Sequence, residues 1–281
     1  MYTEFFGLRE PPFSATPDPE YLFLGGHHRE ALARMVYGIR ERKGFILITG
    51  EVGTGKTVLI RYLLKSLEKS QNGGIRTALV FNPKLGATDF LQLILRDLGL
   101  TMRNKSKGEC LRDLNEFLLQ AYEKEEKVVL IVDEAQGLKP AMLEEIRLLS
   151  NLETAKSKLL QIILVGQPEL TENLSRPEFR QLRQRINLRF HIPPLSKEEI
   201  HPYIERRVTV AGGKEALFTA EAIHEVFLRS RGIPRLINMI CDNALLDGFV
   251  AERKPIDADL VKKAGEDLEL HRKIPMRGEK N

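Results

Sequence analysis

Short apolar runs alternate with longer amphipathic stretches through the first two thirds of the chain. Phe45-Ile46-Leu47-Ile48, Thr77-Ala78-Leu79-Val80-Phe81, Val128-Val129-Leu130-Ile131-Val132 and Leu159 to Val165 are apolar or almost wholly apolar segments of strand length, and a last short strand is expected around Ile186 to Ile192. Runs without polar alternation predict strands buried on both faces, and Val128 to Val132, the most apolar of them, predicts a central strand. Between them, apolar residues recur at helical spacing. Helices are predicted over about His28 to Arg42, Val58 to Leu67, Asp89 to Leu98, Leu111 to Lys124 and Leu143 to Leu152. Asn72-Gly73-Gly74 predicts a turn. Strands alternating with helices predict an α/β fold, a parallel sheet covered on both faces.

At Pro193-Pro194 the pattern changes and the rest reads as helical. Ser196 with Glu199 forms a capping-box pattern for a helix to about Val210, ended by Gly212-Gly213. Thr219 is placed to cap a second helix to about Ser230. Pro234 suits the first turn of a third to about Val250, and Pro255-Ile256-Asp257 leads into a fourth. The expected division is a nucleotide-binding α/β domain over 1–192, with a proline-rich N-terminal extension over 1–43, then a small all-α domain over 193–270 and a polar, frayed tail over 271–281.

Composition narrows this little. The 281 residues are 42% hydrophobic and 29% charged, an ordinary balance for a globular protein with a sizeable core. No apolar run is long enough to span a membrane, and Met1 to Phe6 has no basic leader pattern. The expectation is a cytoplasmic protein with no direct membrane insertion, touching the inner membrane only through a partner. Cys110 and Cys241 read as buried small hydrophobes rather than metal or disulfide positions. A net charge of +4 permits nucleic-acid contact without calling for it.

The candidate chemistry begins at Gly50-Glu51-Val52-Gly53-Thr54-Gly55-Lys56-Thr57, which is G-x-x-x-x-G-K-[ST] set between a strand and a helix. The glycines let backbone N–H groups turn inward on an anion, and the helix adds its N-terminal partial charge. Lys56 is expected to reach the β- and γ-phosphates of ATP, and Thr57 to bind Mg²⁺. Asp133 and Glu134 follow the central strand. There a carboxylate meets a nucleotide-bound Mg²⁺, so Asp133 is read as the metal residue and Glu134 as the group that polarises the attacking water. Gln167, after Gly166, could contact the γ-phosphate or position that water. Arg180, Arg183, Arg185 and Arg189 are dense in Phe179 to Phe190; Arg183 and Arg185 are alternative candidates for a cation supplied across a subunit boundary. Arg235, in Gly232-Ile233-Pro234-Arg235, sits at a helix start, where the dipole disfavours a cation, so it is read as reaching back to the nucleotide.

Together these residues resemble the AAA+ branch of P-loop ATPases: Gly50 to Thr57 as Walker A, Val128 to Glu134 as Walker B, Gln167 at sensor 1, Arg183 or Arg185 at the arginine finger, Arg235 at sensor 2, and the helical part as the lid. A narrower likeness spans about residues 1 to 268. Tyr2-x-x-x-Phe6-Gly7-Leu8-x-x-x-Pro12-Phe13, Pro17-Asp18-Pro19, His28-x-Glu30-Ala31-Leu32, Val132-Asp133-Glu134-Ala135-Gln136 and Leu164-Val165-Gly166-Gln167-Pro168-Glu169-Leu170 resemble the general secretion pathway protein A (ExeA-like) family. The chain stops after the lid, so it looks more like the short MshM-like pilus-biogenesis and exopolysaccharide-locus members, which lack a membrane helix and peptidoglycan-binding part. The resemblance implies an ATPase, using ATP and Mg²⁺, that drives assembly or regulation of a bacterial envelope secretion, pilus or exopolysaccharide system. It also implies a nucleotide-assembled ring or filament and an inner-membrane partner. It adds His28 and Val58 to the nucleotide-binding positions, with the region from Phe6-Gly7-Leu8 to His28 near the adenine. The alternative is a DNA-dependent regulator of the transposition (TnsC-like) type, for which no helix-turn-helix or aromatic-basic interleaving speaks.

Overall fold

All five predicted strands form, and they pair parallel in one sheet. The computed structural model describes residues 1–69, 74–81, 85–100 and 105–273. The strands are β1 (Phe45–Gly50), β2 (Ile75–Val80), β3 (Lys127–Val132), β4 (Leu160–Gly166) and β5 (Ile186–Ile192), in the spatial order β2-β3-β4-β1-β5. The order places the carboxyl end of β4 between those of β1 and β3, in registers Phe45 opposite Ile162 and Val128 opposite Leu160. β1 and β4 are buried along their whole length, and β5, at the edge, alternates. The alternation follows from β5 being covered on one face, by α2.

The helices are α1 (Tyr2–Phe5), α2 (Gly26–Arg40), α3 (Lys56–Lys69), α4 (Ala87–Asp97), α5 (Lys107–Glu123), α6 (Pro140–Leu149), α7 (Pro168–Ser175), α8 (Arg180–Arg185), α9 (Lys197–Val210), α10 (Ala220–Ser230), α11 (Pro234–Val250) and α12 (Ala258–Lys273). All five helices predicted from periodicity before Pro193 begin two to four residues earlier than it suggests. α3 starts at Lys56, directly after the glycine loop. α5 starts after Ser106, whose backbone N–H donates to Glu109 Oε2 at 2.8 Å. α6 starts on Pro140, which has no N–H to leave unpaired. The segment after Gln167, where the apolar pattern predicts no element, is the helix α7, again opened by a proline.

The chain divides into two compact units: residues 26–52 with 56–193, and residues 1–25 with 53–55 and the chain from Pro194 on. In the first, β1 to β4 pack against α4, α5 and α6 through residues such as Leu47, Ile94, Leu114, Leu130, Ile146 and Leu164. Each such side chain contributes about 1.5–3 kcal/mol by leaving water.

In the second unit, α9 to α12 enclose Ile200, Ile204, Val226, Ile237, Leu245 and Val261. Ser196 N–H donates to Glu199 Oε2 at 3.0 Å before α9, and Thr219 Oγ1 accepts from Ala222 N–H at 3.1 Å before α10. Phe6, Leu8, Phe13 and Tyr21 are buried in this core. Residues 1–25 therefore pack with the helices rather than extending the α/β unit, correcting the sequence-based boundary for that stretch. Arg207, buried on α9, holds the N-terminal segment: Nε donates to Pro12 O at 2.7 Å and Nη2 to Ser14 O at 3.3 Å. Its guanidinium lies 4.8 Å from the Tyr21 ring centre, 5.8 Å from Tyr203 and 6.0 Å from Phe13. Cys110 and Cys241 are buried and unbridged. Among the described residues no helix is long and apolar enough to cross a membrane. Asn72, Gly73 and the tail beyond Lys273 lie outside the described residues.

Candidate active site

The loop from Gly50 to Thr57 leaves the carboxyl end of β1 and turns into α3 through two left-handed glycines, Gly53 (φ 83°) and Gly55 (φ 91°). A side chain at either would clash with its own backbone, so only glycine holds this curl cheaply. Thr54 is buried, and Glu51 and Val52 are exposed on the outer side of the loop. Lys56, at the start of α3, folds back over it. Its ammonium donates to the carbonyls of Gly50 and Glu51, each at 2.8 Å. Burial pushes the Lys56 pKa below its ordinary value, against the opposing pull of the Glu134, Asp133, Glu51 and Glu169 charges.

Thr57, one residue on, donates its hydroxyl to Asp133 Oδ2 at 2.7 Å. Asp133 stands at the end of β3 with its N–H bonded to Val80 O at 2.9 Å, and its side chain is buried. Burial raises the Asp133 pKa, partly offset by the Thr57 hydroxyl and the Glu134 amide. A hydroxyl and a carboxylate side by side are hard oxygen donors, the kind Mg²⁺ selects, so this pair fits that ion.

Glu134 turns out of the strand in a left-handed conformation (φ 55°, ψ 35°), with its N–H bonded to Asp133 Oδ1 at 2.9 Å. For a residue with a Cβ this costs about 1–2 kcal/mol. The turn exposes the carboxylate, while Asp133 stays buried. Glu134 Oε2 accepts from Gln136 Nε2, and from Gln167 Nε2 at 3.5 Å. Gln167, at the end of β4, also gives its backbone N–H to Gln136 Oε1 at 3.1 Å. The structure thus brings Lys56, Thr57, Asp133, Glu134 and Gln167 together at the carboxyl ends of three adjacent strands. Gln136 belongs to the same cluster and was not singled out in the sequence, where it is one polar residue in a loop; its register opposite the β4 end is a tertiary fact.

The remaining candidates are His28, Val58, Arg183, Arg185 and Arg235. His28 is buried on α2, and Val58 is half-buried on α3. Arg185 is anchored within its own unit: Nη1 donates to Arg147 O at 3.1 Å, to Asn151 Oδ1 at 2.6 Å and to Ser150 Oγ. Arg183, on the same short helix, donates to Ser175 O at 2.9 Å. Arg235 is exposed in the first turn of α11, and its backbone N–H donates to Gly53 O at 3.1 Å within the unit that contains both.

The AAA domain family matches residues 39–174. General secretion pathway protein A of Aeromonas hydrophila is 46% identical over 250 residues, covering 89% of this chain and 45% of that protein. The Holliday junction branch migration complex subunit RuvB of Lacticaseibacillus casei is 27% identical over 203 residues, 67% of this chain and 57% of the relative. The chain thus spans about half the length of these relatives. Among solved structures, the Aeropyrum pernix ORC2 protein in ADPNP-ADP complexes superposes with a TM-score of 0.69 at 18% identity, covering 92% of this chain and 71% of that one, a likeness of fold.

Proposed function

Because this chain belongs to the AAA+ proteins as a relative of general secretion pathway protein A, we propose that it hydrolyses ATP and couples hydrolysis to assembly or regulation of a bacterial envelope secretion or pilus system. The observation that carries the ATPase reading is the pairing of a buried Lys56 ammonium with the Thr57–Asp133 hydrogen bond, beside an exposed Glu134. Lys56 exchanges the Gly50 and Glu51 carbonyls for the β- and γ-phosphates, a gain because a carbonyl carries only a partial charge. Thr57 and Asp133 would hold Mg²⁺, which when bound neutralises charge on the phosphates. Glu134 takes the proton from a water as its oxygen attacks the γ-phosphorus and the bond to the β,γ-bridging oxygen breaks. Gln167 orients that water or the γ-phosphate.

A shared site in a ring or filament belongs to the same reading, with an arginine from α8 of one copy serving the nucleotide of the next. Of the two candidates, Arg183 has one carbonyl partner to release and Arg185 has three oxygen partners, which favours Arg183 as the finger. Arg235 is the sensor 2 candidate. The 27% identity to RuvB, named for Holliday junction branch migration, keeps a DNA-dependent ATPase as the second reading.

The test compares Glu134→Gln with the natural chain. Nucleotide affinity should persist while turnover falls about 100-fold or more, because an amide cannot accept the proton. Unchanged turnover would refute Glu134 as the base, and a natural chain that does not turn over ATP would refute the hydrolysis reading. Stimulation by duplex DNA that fades steeply with salt would replace envelope assembly by the DNA reading.

A further inference from the structure

We propose that Gln136 is a positioning residue that sets the place of the Glu134 carboxylate by tying it to the end of β4. The inference rests on the hydrolysis reading and concerns the same site.

Both ends of the Gln136 carboxamide are engaged, and the partners dictate which end is which. Its nitrogen faces the Glu134 carboxylate, which only accepts, and its oxygen faces the Gln167 backbone N–H at 3.1 Å, which only donates. A flipped amide would set two acceptors and two donors against each other. The amide is therefore a rigid spacer between a carboxylate that follows β3 and a main-chain group that follows β4. β3 and β4 are paired, with Val132 opposite Leu164, so the anchor moves only with the sheet.

Gly166 makes room for the spacer. A Cβ there would come within 2.8 Å of Gln136 Oε1, 2.9 Å of Leu170 Cδ2 and 3.3 Å of Gln136 N. The missing side chain is thus a requirement of the Gln136 position as well as of the Leu170 packing. Glu134 needs such a tether because its side chain is exposed, where packing alone holds a carboxylate loosely. The Gln167 carboxamide also reaches Glu134, at 3.5 Å, but in the proposed mechanism that side chain turns toward the γ-phosphate or its water. Gln136 is the tether that remains during the reaction. A general base must hold its oxygen within hydrogen-bond reach of the water, and misplacement by an ångström costs about 100-fold.

The experiment measures kcat, KM and nucleotide affinity for the full chain and for Gln136→Ala, Gln136→Asn and Gly166→Ala, with thermal unfolding of each. Gln136→Ala should lower kcat about 10- to 100-fold with affinity and unfolding temperature unchanged. Gln136→Asn, one methylene short of spanning both partners, should behave alike. Gly166→Ala, which also crowds Leu170, should lower kcat at least as much, and the double variant should lose no more than the larger single one, because their effect on kcat runs through the Gln136 contact. In a Glu134→Gln background, Gln136→Ala should change nothing. An unchanged kcat in Gln136→Ala, or an equal further loss in the Glu134→Gln background, would overturn the inference. If Gly166→Ala does not fold, the Ala and Asn variants at 136 decide alone. Failure of the hydrolysis reading looks different: the natural chain itself would not turn over ATP.

Discussion

Lys56 in the α/β unit and Arg207 in the helical unit are each only 7% exposed, and each donates to two backbone carbonyls rather than to a carboxylate. There the similarity ends. Arg207 lies among Phe13, Tyr21 and Tyr203, its plane matched to aromatic faces and its fork to Pro12 and Ser14. That arrangement fastens two stretches of chain. Lys56 sits on a curled glycine loop with the carboxylates of Asp133 and Glu134 near it, and its carbonyl partners are replaceable by a stronger anion. Burial of a cation by itself therefore says nothing of function; what surrounds it does. A guanidinium stacked on rings is a fastener, whereas a compact ammonium at a helix start, held only by exchangeable carbonyls, is placed to take an anion.

Substitution should separate the two most sharply. Lys56→Ala should reduce ATP affinity about 100-fold or more, about 2.7 kcal/mol, with the fold intact. Arg207→Ala should instead cost about 2–4 kcal/mol of stability through lost hydrogen bonds and ring contacts. Titration calorimetry and denaturant unfolding of both variants check this, and a destabilised Lys56→Ala with normal affinity would reverse the assignment. Arg207→Lys should not rescue, because an ammonium cannot match the rings and the fork together.

The same contrast sharpens on α8. Arg185→Ala removes bonds to Arg147, Ser150 and Asn151 and should lower the unfolding free energy by about 1–3 kcal/mol. Arg183→Ala should leave stability nearly untouched and lower turnover, an effect partly restored by mixing with Lys56→Ala protein if the site is shared. Both variants should be assayed for unfolding and for ATPase rate against protein concentration.

The smallest effect is on pH dependence. Burial raises the Asp133 pKa from 3.8, so the nucleotide-free folded chain keeps that proton to higher pH than the unfolded chain does. Its contribution is therefore favourable below the window between the two values and is lost as pH rises through it. Asp133→Asn should flatten this part of the stability curve. A curve of Asp133→Asn parallel to that of the natural chain between pH 3 and 7 would refute the assignment.

The pattern of apolar runs and the glycine loop determined much by themselves. Buried strands need continuous apolar sequence, so β1, β3 and β4 were legible from Phe45, Val128 and Leu159 onward. A phosphate cradle needs glycines at fixed spacing, so Lys56 and Thr57 were legible too. Asp133 and Glu134 were legible because they end a buried strand. Pairing across strands was not legible, since it depends on which segments become neighbours. Only the sheet order set Gln167 between the glycine loop and Glu134, and only the β3–β4 register set Gln136 against Gly166. The packing of residues 1–25 was also decided in three dimensions. Proline-rich sequence says the chain is extended, but it was Arg207, some two hundred positions away, whose fork and aromatic neighbours chose the surface it extends along. Local propensity acts through near neighbours, whereas a buried polar group accepts whichever partner the fold delivers.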